Sequence, residues 1–122
     1  KVESAERAGV RPENIVIDPG IGFSKTAEQC VEIIARLDEL LDLGKPVLLG
    51  PSRKSFIGKK LGLAAEDRLE ATIASCIVGV GNGASMVRVH DVKSVSRALR
   101  MFEGLGRYGR TREPGVSQRW NG

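Results

Sequence analysis

The sequence predicts an α/β fold in which short parallel strands alternate with helices. Three observations carry that prediction. Apolar, often β-branched runs of four or five residues recur between segments of helical periodicity; turn residues such as Asp-Pro-Gly and Gly-Asn-Gly separate them; and polar side chains gather directly after each run. Strands that alternate with helices run parallel, joined by right-handed crossovers. A parallel sheet needs both faces covered, and three strands with three helices make a poor isolated layer. The pattern therefore reads as the last part of a longer α/β array, either a doubly wound sheet or the closing units of a (β/α)8 barrel. In both, functional groups collect at the carboxyl ends of the strands.

Taken in order, "VESAERAGVRPE" reads as the end of a helix feeding the first strand, Asn14 to Ile17, which "DPG" terminates. Thr26 is a candidate N-cap for a helix in which Cys30, Ile33, Ile34, Leu37, Leu40 and Leu41 recur at helical spacing. Gly44 and Pro46 stop it. "PVLLG" is the second strand, and a short helix from about Phe56 to Leu61 follows it. Glu66 to Val80 reads as a longer helix with an acidic first turn and a nearly all-apolar second half, hence buried. After "GNGAS" come a third strand, Met86 to Val89, and a last helix from about Val92 to Glu103.

A chain of 122 residues can bury roughly two-thirds of the surface its unfolded form exposes, so a core is expected. It opens at Lys1 without an initiating Met, which leads us to expect a piece of a longer protein. Its longest apolar run, Ala71 to Val80, is far shorter than the ~20 residues of a membrane span. The formal charge is +4, and the whole excess falls in residues 97–122. We therefore expect two regions: residues 1–103 as the folded part and residues 104–122 as a flexible Gly/Arg-rich tail. A short basic tail carrying Tyr108 and Trp120 could hold single-stranded nucleic acid, but a solvated terminus without a partner is the better reading. Cys30 and Cys76 lie in apolar periodic stretches with no CxxC spacing, so they read as reduced core thiols of a cytoplasmic protein.

The three strand tips hold the candidate chemistry. "DPGIGFSK" presents Asp18, two glycines that let backbone approach a ligand, and Phe23 as an aromatic wall. It is not a Walker loop, which requires G-x-x-x-x-G-K-[ST]. "GPSRKS" sets Ser52, Arg53, Lys54 and Ser55 before a helix start; a serine cap is the plain reading, an anion site the functional one. In "VRVHD" the strand period makes Arg88 and His90 project together, while a surface pair of Arg88 with Asp91 is the plain alternative. No metal-ligand spacing and no nucleophilic triad is evident. One carboxylate, an aromatic ring, cations, an imidazole and hydroxyls suit a flat heterocycle bearing donors together with one or two anions.

"DPGIGFSK", "SRKSFIG" and "GASMVRVHDV", in this order and spacing, resemble the carboxyl-terminal half of the dihydropteroate synthases, over about Ala8 to Glu103. That resemblance implies the C-terminal three βα units of a (β/α)8 TIM barrel. The implied activity joins 6-hydroxymethyl-7,8-dihydropterin pyrophosphate to p-aminobenzoate, releasing pyrophosphate, in folate biosynthesis, with sulfonamides competing for the aminobenzoate position. Asp18 would accept the pterin's N–H edge, Lys54 would bond its oxo edge, and Arg88 would lie on its face and reach the pyrophosphate with His90. Phe23, Arg53 and Ser55 would face the aminobenzoate. The resemblance also implies Mg2+, with its asparagine ligand on an upstream strand absent from these residues, and a homodimer packed through late helices. Three units alone are expected to be catalytically incomplete and to expose strand edges. Other readings are a related pterin-binding methyltransferase, which has no need of the "SRKS" and "RVHD" groups, and a non-catalytic assembly or nucleic-acid-binding module using the tail.

Overall fold

The computed structural model of the protein describes residues 1–110. Its helices are α1 (Val2–Arg7), α2 (Ala27–Ala35), α3 (Ser55–Leu61), α4 (Leu69–Gly81) and α5 (Val92–Arg110), and its strands are β1 (Leu48–Leu49) and β2 (Met86–Val87). The two strands are parallel, with Leu48 opposite Met86 and Leu49 opposite Val87. Alternation of strand and helix with a parallel sheet is the α/β arrangement anticipated from the sequence.

The expected first strand contracts to one rung. Pro12–Asn14 form a 3-10 turn, and only Ile17 reaches the sheet, as a parallel bridge to Val47. There the Ile17 amide donates to the Pro46 carbonyl at 2.9 Å, and the Leu48 amide to the Ile17 carbonyl at 2.8 Å. A strand is a ladder and needs a neighbour for each rung; Val16 stays exposed, with no partner strand beyond it among the described residues.

Helix α2 starts where the sequence indicates. Thr26 Oγ1 accepts the Gln29 amide at 3.1 Å while Gln29 Oε1 accepts the Thr26 amide at 2.9 Å, a reciprocal capping box. The helix ends earlier than its apolar period suggests, because at Arg36 the chain tightens into a 3-10 segment, Leu37–Leu43. Threefold winding stacks Leu37 and Leu40 on one edge, and Leu37 is fully buried. Gly44, at φ 67°, takes the left-handed stop that a branched residue would resist.

The longer helix also begins later than anticipated. Ala65–Asp67 form a 3-10 turn and α4 opens at Leu69. Helix α5 runs past Glu103 to Arg110, so the first residues of the expected flexible tail are helical; residues 111–122, with Trp120, lie outside the described residues. Among the described residues no helix is long and apolar enough to cross a membrane.

Packing draws these elements onto one core of Ile21, Cys30, Ile34, Leu37, Val47, Leu49, Phe56, Ile57 and Ala84. Helix α4 lies against β2 and α2, α3 lies against α2, and α5 lies against α4. Both cysteines are free and buried. Parallel strands put the residues after Ile17, Leu49 and Val87 at the same end of the sheet, and the polar loops meet there.

Candidate functional site at the strand tips

Asp18 follows the Ile17 bridge directly. Its Oδ1 accepts the Gly20 amide at 2.8 Å, closing a local turn, and its Oδ2 accepts from Arg88 Nη2 at 3.3 Å. The loop is anchored by Ile21, almost wholly buried, whose carbonyl accepts Lys54 Nζ. Gly22, at φ 84°, lies against the Lys54 stem, where an added Cβ would come within 2.8 Å of Cδ. Phe23 is exposed, and Lys54 Nζ sits 4.5 Å from its ring centroid. Asp18, Phe23, Lys54 and Arg88, from three loops, thus form one group.

The second tip is held by a different set of contacts. Arg53 adopts φ 55°, a left-handed conformation unfavourable for a long side chain. Its amide donates to Thr72 Oγ1 at 3.1 Å, its carbonyl accepts Arg68 Nη1 at 2.8 Å, and its guanidinium makes a two-pronged bond to Asp91 at 2.8 and 3.2 Å. Thr72 is fully buried, and Arg68 also grips the Leu63 carbonyl. Three connections from α4, its approach and the third tip therefore impose the loop's shape.

The plain alternative for the third tip, a surface pair of Arg88 with Asp91, is not formed; Arg88 pairs with Asp18, and Arg53 with Asp91. The serine cap is not formed either. Lys54 occupies the N-cap position of α3 without a side-chain cap, Ser55 is the first helical residue with its side chain exposed, and Ser52 turns away. Ser52 Oγ lies 2.7 Å from His90 Nδ1 and accepts the His90 amide at 3.1 Å. Arg68 and Thr72 had no role in the sequence reading, and Ser52 and Asp91 entered it only as a candidate cap and a candidate surface partner of Arg88. Of these, only Ser52 and Asp91 carried a signal, through their places in the quoted tip motifs.

Electrostatics follow this geometry. Burial, and then the neighbouring Arg88 charge, hold the Lys54 ammonium below its ordinary value, with Asp18 opposing both. The hydrogen bond from Arg53 holds Asp91 below the usual carboxylate range. Among the described residues no group of three or more His, Cys, Asp or Glu could form a metal cage; Asp18 and Asp91 are both engaged by guanidinium groups, so magnesium does not fit these residues and no step below passes through it.

Asp18, Lys54 and Arg88, with the Phe23 ring against Lys54, make a group at the carboxyl ends of the parallel strands whose chemistry can accommodate a planar, donor-bearing ligand with an attached anion. The model of the pterin binding enzyme family matches residues 1–90, and the chain belongs to that family. It is 50% identical over 103 residues to a dihydropteroate synthase of Clostridium beijerinckii, covering 84% of this chain and 38% of that protein. With the Bacillus subtilis dihydropteroate synthase it shares 44% over 104 residues, covering 85% of this chain and 36% of that one. Among solved structures, the Clostridium difficile dihydropteroate synthase determined in the presence of pteroic acid superposes with a TM-score of 0.81 at 50% identity, covering 85% of this chain and 40% of that one. The Xanthomonas albilineans dihydropteroate synthase in complex with 7,8-dihydropteroate superposes with a TM-score of 0.84 at 37% identity, over 86% and 40%. The chain spans well under half the length of these relatives.

Proposed function

We propose that these residues form the carboxyl-terminal part of a dihydropteroate synthase barrel, the last three βα units, carrying the pterin, aminobenzoate and pyrophosphate contacts of its site. The observation that supports this most directly is the meeting of Asp18, Lys54 and Arg88, with Asp18 and Arg88 70 positions apart in sequence. In this reading Asp18 accepts the paired N–H groups of the pterin's aminopyrimidinone edge, exchanging part of its Arg88 contact for the ligand. Charge-assisted bonds of this kind contribute roughly 1.5–3 kcal/mol each. Lys54, already turned toward the Ile21 carbonyl, bonds the oxo and ring-nitrogen edge. Arg88 lies against the pterin face and, with His90, receives the pyrophosphate.

The reaction transfers the pterin methylene from pyrophosphate oxygen to the aminobenzoate nitrogen. The carbon–oxygen bond breaks as pyrophosphate leaves, the carbon–nitrogen bond forms, and the amine gives up one proton. Cations fixed in advance around the departing phosphates stabilise the charge that develops, so no side-chain nucleophile is needed. Phe23 and Ser55 border the aminobenzoate, the first with its ring, the second as hydroxyl donor to the carboxylate. Arg53 acts on the same side, its charge partly offset by Asp91. Sulfonamides compete there as aminobenzoate analogues.

The magnesium requirement belongs to the same proposal, with its ligands on strands outside these residues, as does a homodimer: α4 and α5 pack together and leave Val78, Met101 and Leu105 exposed. Free buried thiols accord with a cytoplasmic setting. The test is steady-state dihydropteroate formation by the natural-length protein that carries these residues. Lys54→Ala and Arg88→Ala each lower kcat/KM by about 100-fold or more. Near-normal turnover in both variants rejects the assignment.

A further inference from the structure

We infer that Ser52 is a positioning residue that fixes the His90 imidazole as an Nε2–H donor at the mouth of the site. The inference rests on the leaving-group role proposed for His90 but is tested without it. Ser52 lies in the loop after β1 and is only 6% exposed, whereas His90 is exposed. Two donors or acceptors of His90 reach the one hydroxyl: the backbone amide at 3.1 Å and ring Nδ1 at 2.7 Å.

An amide can only donate, so it occupies one lone pair of Oγ. A single proton must lie in the short contact between Oγ and Nδ1. If Nδ1 supplied it, Oγ would accept twice and its own hydrogen, in a buried position, would need a further acceptor; among the described residues the structure gives Ser52 none. If the hydroxyl donates, every group is satisfied and Nδ1 is the acceptor. Neutral His90 then carries its proton on Nε2. The bond also fixes the ring plane, since amide and Nδ1 of the same residue are held at one oxygen.

Charged neighbours do not compete for Nδ1. Asp91, next in the chain, is occupied by Arg53, and Arg88, two positions earlier, is turned to Asp18. Ser52 is not a nucleophile in this arrangement, because its oxygen is buried and already shared between the two contacts of His90. Its effect passes through the imidazole: the hydroxyl sets which nitrogen presents a hydrogen to a phosphate oxygen.

His90 is the only histidine of the chain, so 15N NMR of the histidine-labelled full chain reads one ring. With the ring neutral and without ligand, a single Nε2–H tautomer is expected. Ser52→Ala should lower the Nε2–H preference by about fivefold, and Ser52→Thr, which keeps the hydroxyl, should restore it. A wild-type spectrum showing the Nδ1–H form, or a tautomer ratio unchanged in Ser52→Ala, overturns the inference; the wild-type measurement does not depend on any variant folding. Titration with inorganic pyrophosphate separates the two claims. An Nε2 response supports both, whereas a fixed tautomer with no Nε2 response supports the Ser52 role and counts against the proposed pyrophosphate contact.

Discussion

Gly50 shows how little room the site leaves for its own side chains. A Cβ there would approach Arg88 Nη2 to 2.6 Å, and the atom displaced is the far end of a flexible side chain. Gly50→Ala should therefore change stability by only ~1 kcal/mol while pushing the guanidinium off Asp18. In the natural-length protein, the proposed pterin contact predicts an affinity lower by about tenfold or more, read by calorimetry with the thermal midpoint as control. Unchanged affinity would show that Arg88 has a second productive position. Cys76 gives a residue-scale prediction about pH. Burial pushes its thiol from 9.0 up to about 11, so over that interval the folded chain keeps a proton that the unfolded chain releases. The associated stabilisation is complete below pH 9.0 and is lost as the pH rises toward about 11. Denaturation midpoints measured across that range should lose this decline in Cys76→Ala, and an equal alkaline slope in both proteins would contradict the assignment.

Among the elements, α4 is fitted to the sheet through a residue with no side chain. A Cβ on buried Gly79 would overlap the Leu49 side chain, so Gly79→Ala should destabilise the chain by ~1–3 kcal/mol, measured by urea titration. Retained stability would mean that α4 can shift without loss. The tie between the second and third tips predicts an acid response. Asp91 is held below its ordinary 3.8 by Arg53, so the pair stabilises the fold above that value, and the contribution disappears as the pH falls through the lowered one. The stability difference between wild type and Asp91→Asn should be largest near neutrality and close below pH 3.8; a difference constant with pH would exclude the pair as its source. Elements were legible in the sequence where their determinants are local. Thr26 and Gln29, three apart, define the start of α2 by themselves, and Gly44 marks the end of the segment that follows. The first strand was not, because Asn14–Ile17 has the composition of a strand but only Ile17 finds a rung. The sequence reading ended the last helix near Glu103 because the Gly/Arg-rich stretch beyond it shows no apolar periodicity, yet a glycine removes no backbone hydrogen bond and costs a helix only ~1 kcal/mol, and α5 runs on to Arg110. No proline interrupts the chain between Val92 and Arg110.

For the molecule as a whole, the gathering of side chains at the strand tips was legible in the sequence and their pairing was not. Strand polarity alone gathers Asp18, Lys54 and Arg88, since each closely follows an apolar run and parallel runs end together. Which guanidinium meets which carboxylate depends on loop paths: Arg53 and Asp91 are 38 positions apart, and Arg53 meets Thr72 across 19. No periodicity encodes such pairs. The lone bridge at Ile17 has a consequence for how the proposed pterin contact is made. Asp18 hangs from the sheet by one rung, while Arg88 follows a paired strand whose amide bonds the Leu49 carbonyl at 2.9 Å. Hydrogen exchange at the Ile17 amide should then be faster than at Arg88, by an opening that releases the carboxylate while leaving the cations in place. Equal protection would remove the distinction. If it holds, the site's acceptor is its slackest component and its donors its stiffest, and part of the affinity for a heterocycle is spent quieting the one strand that grips it.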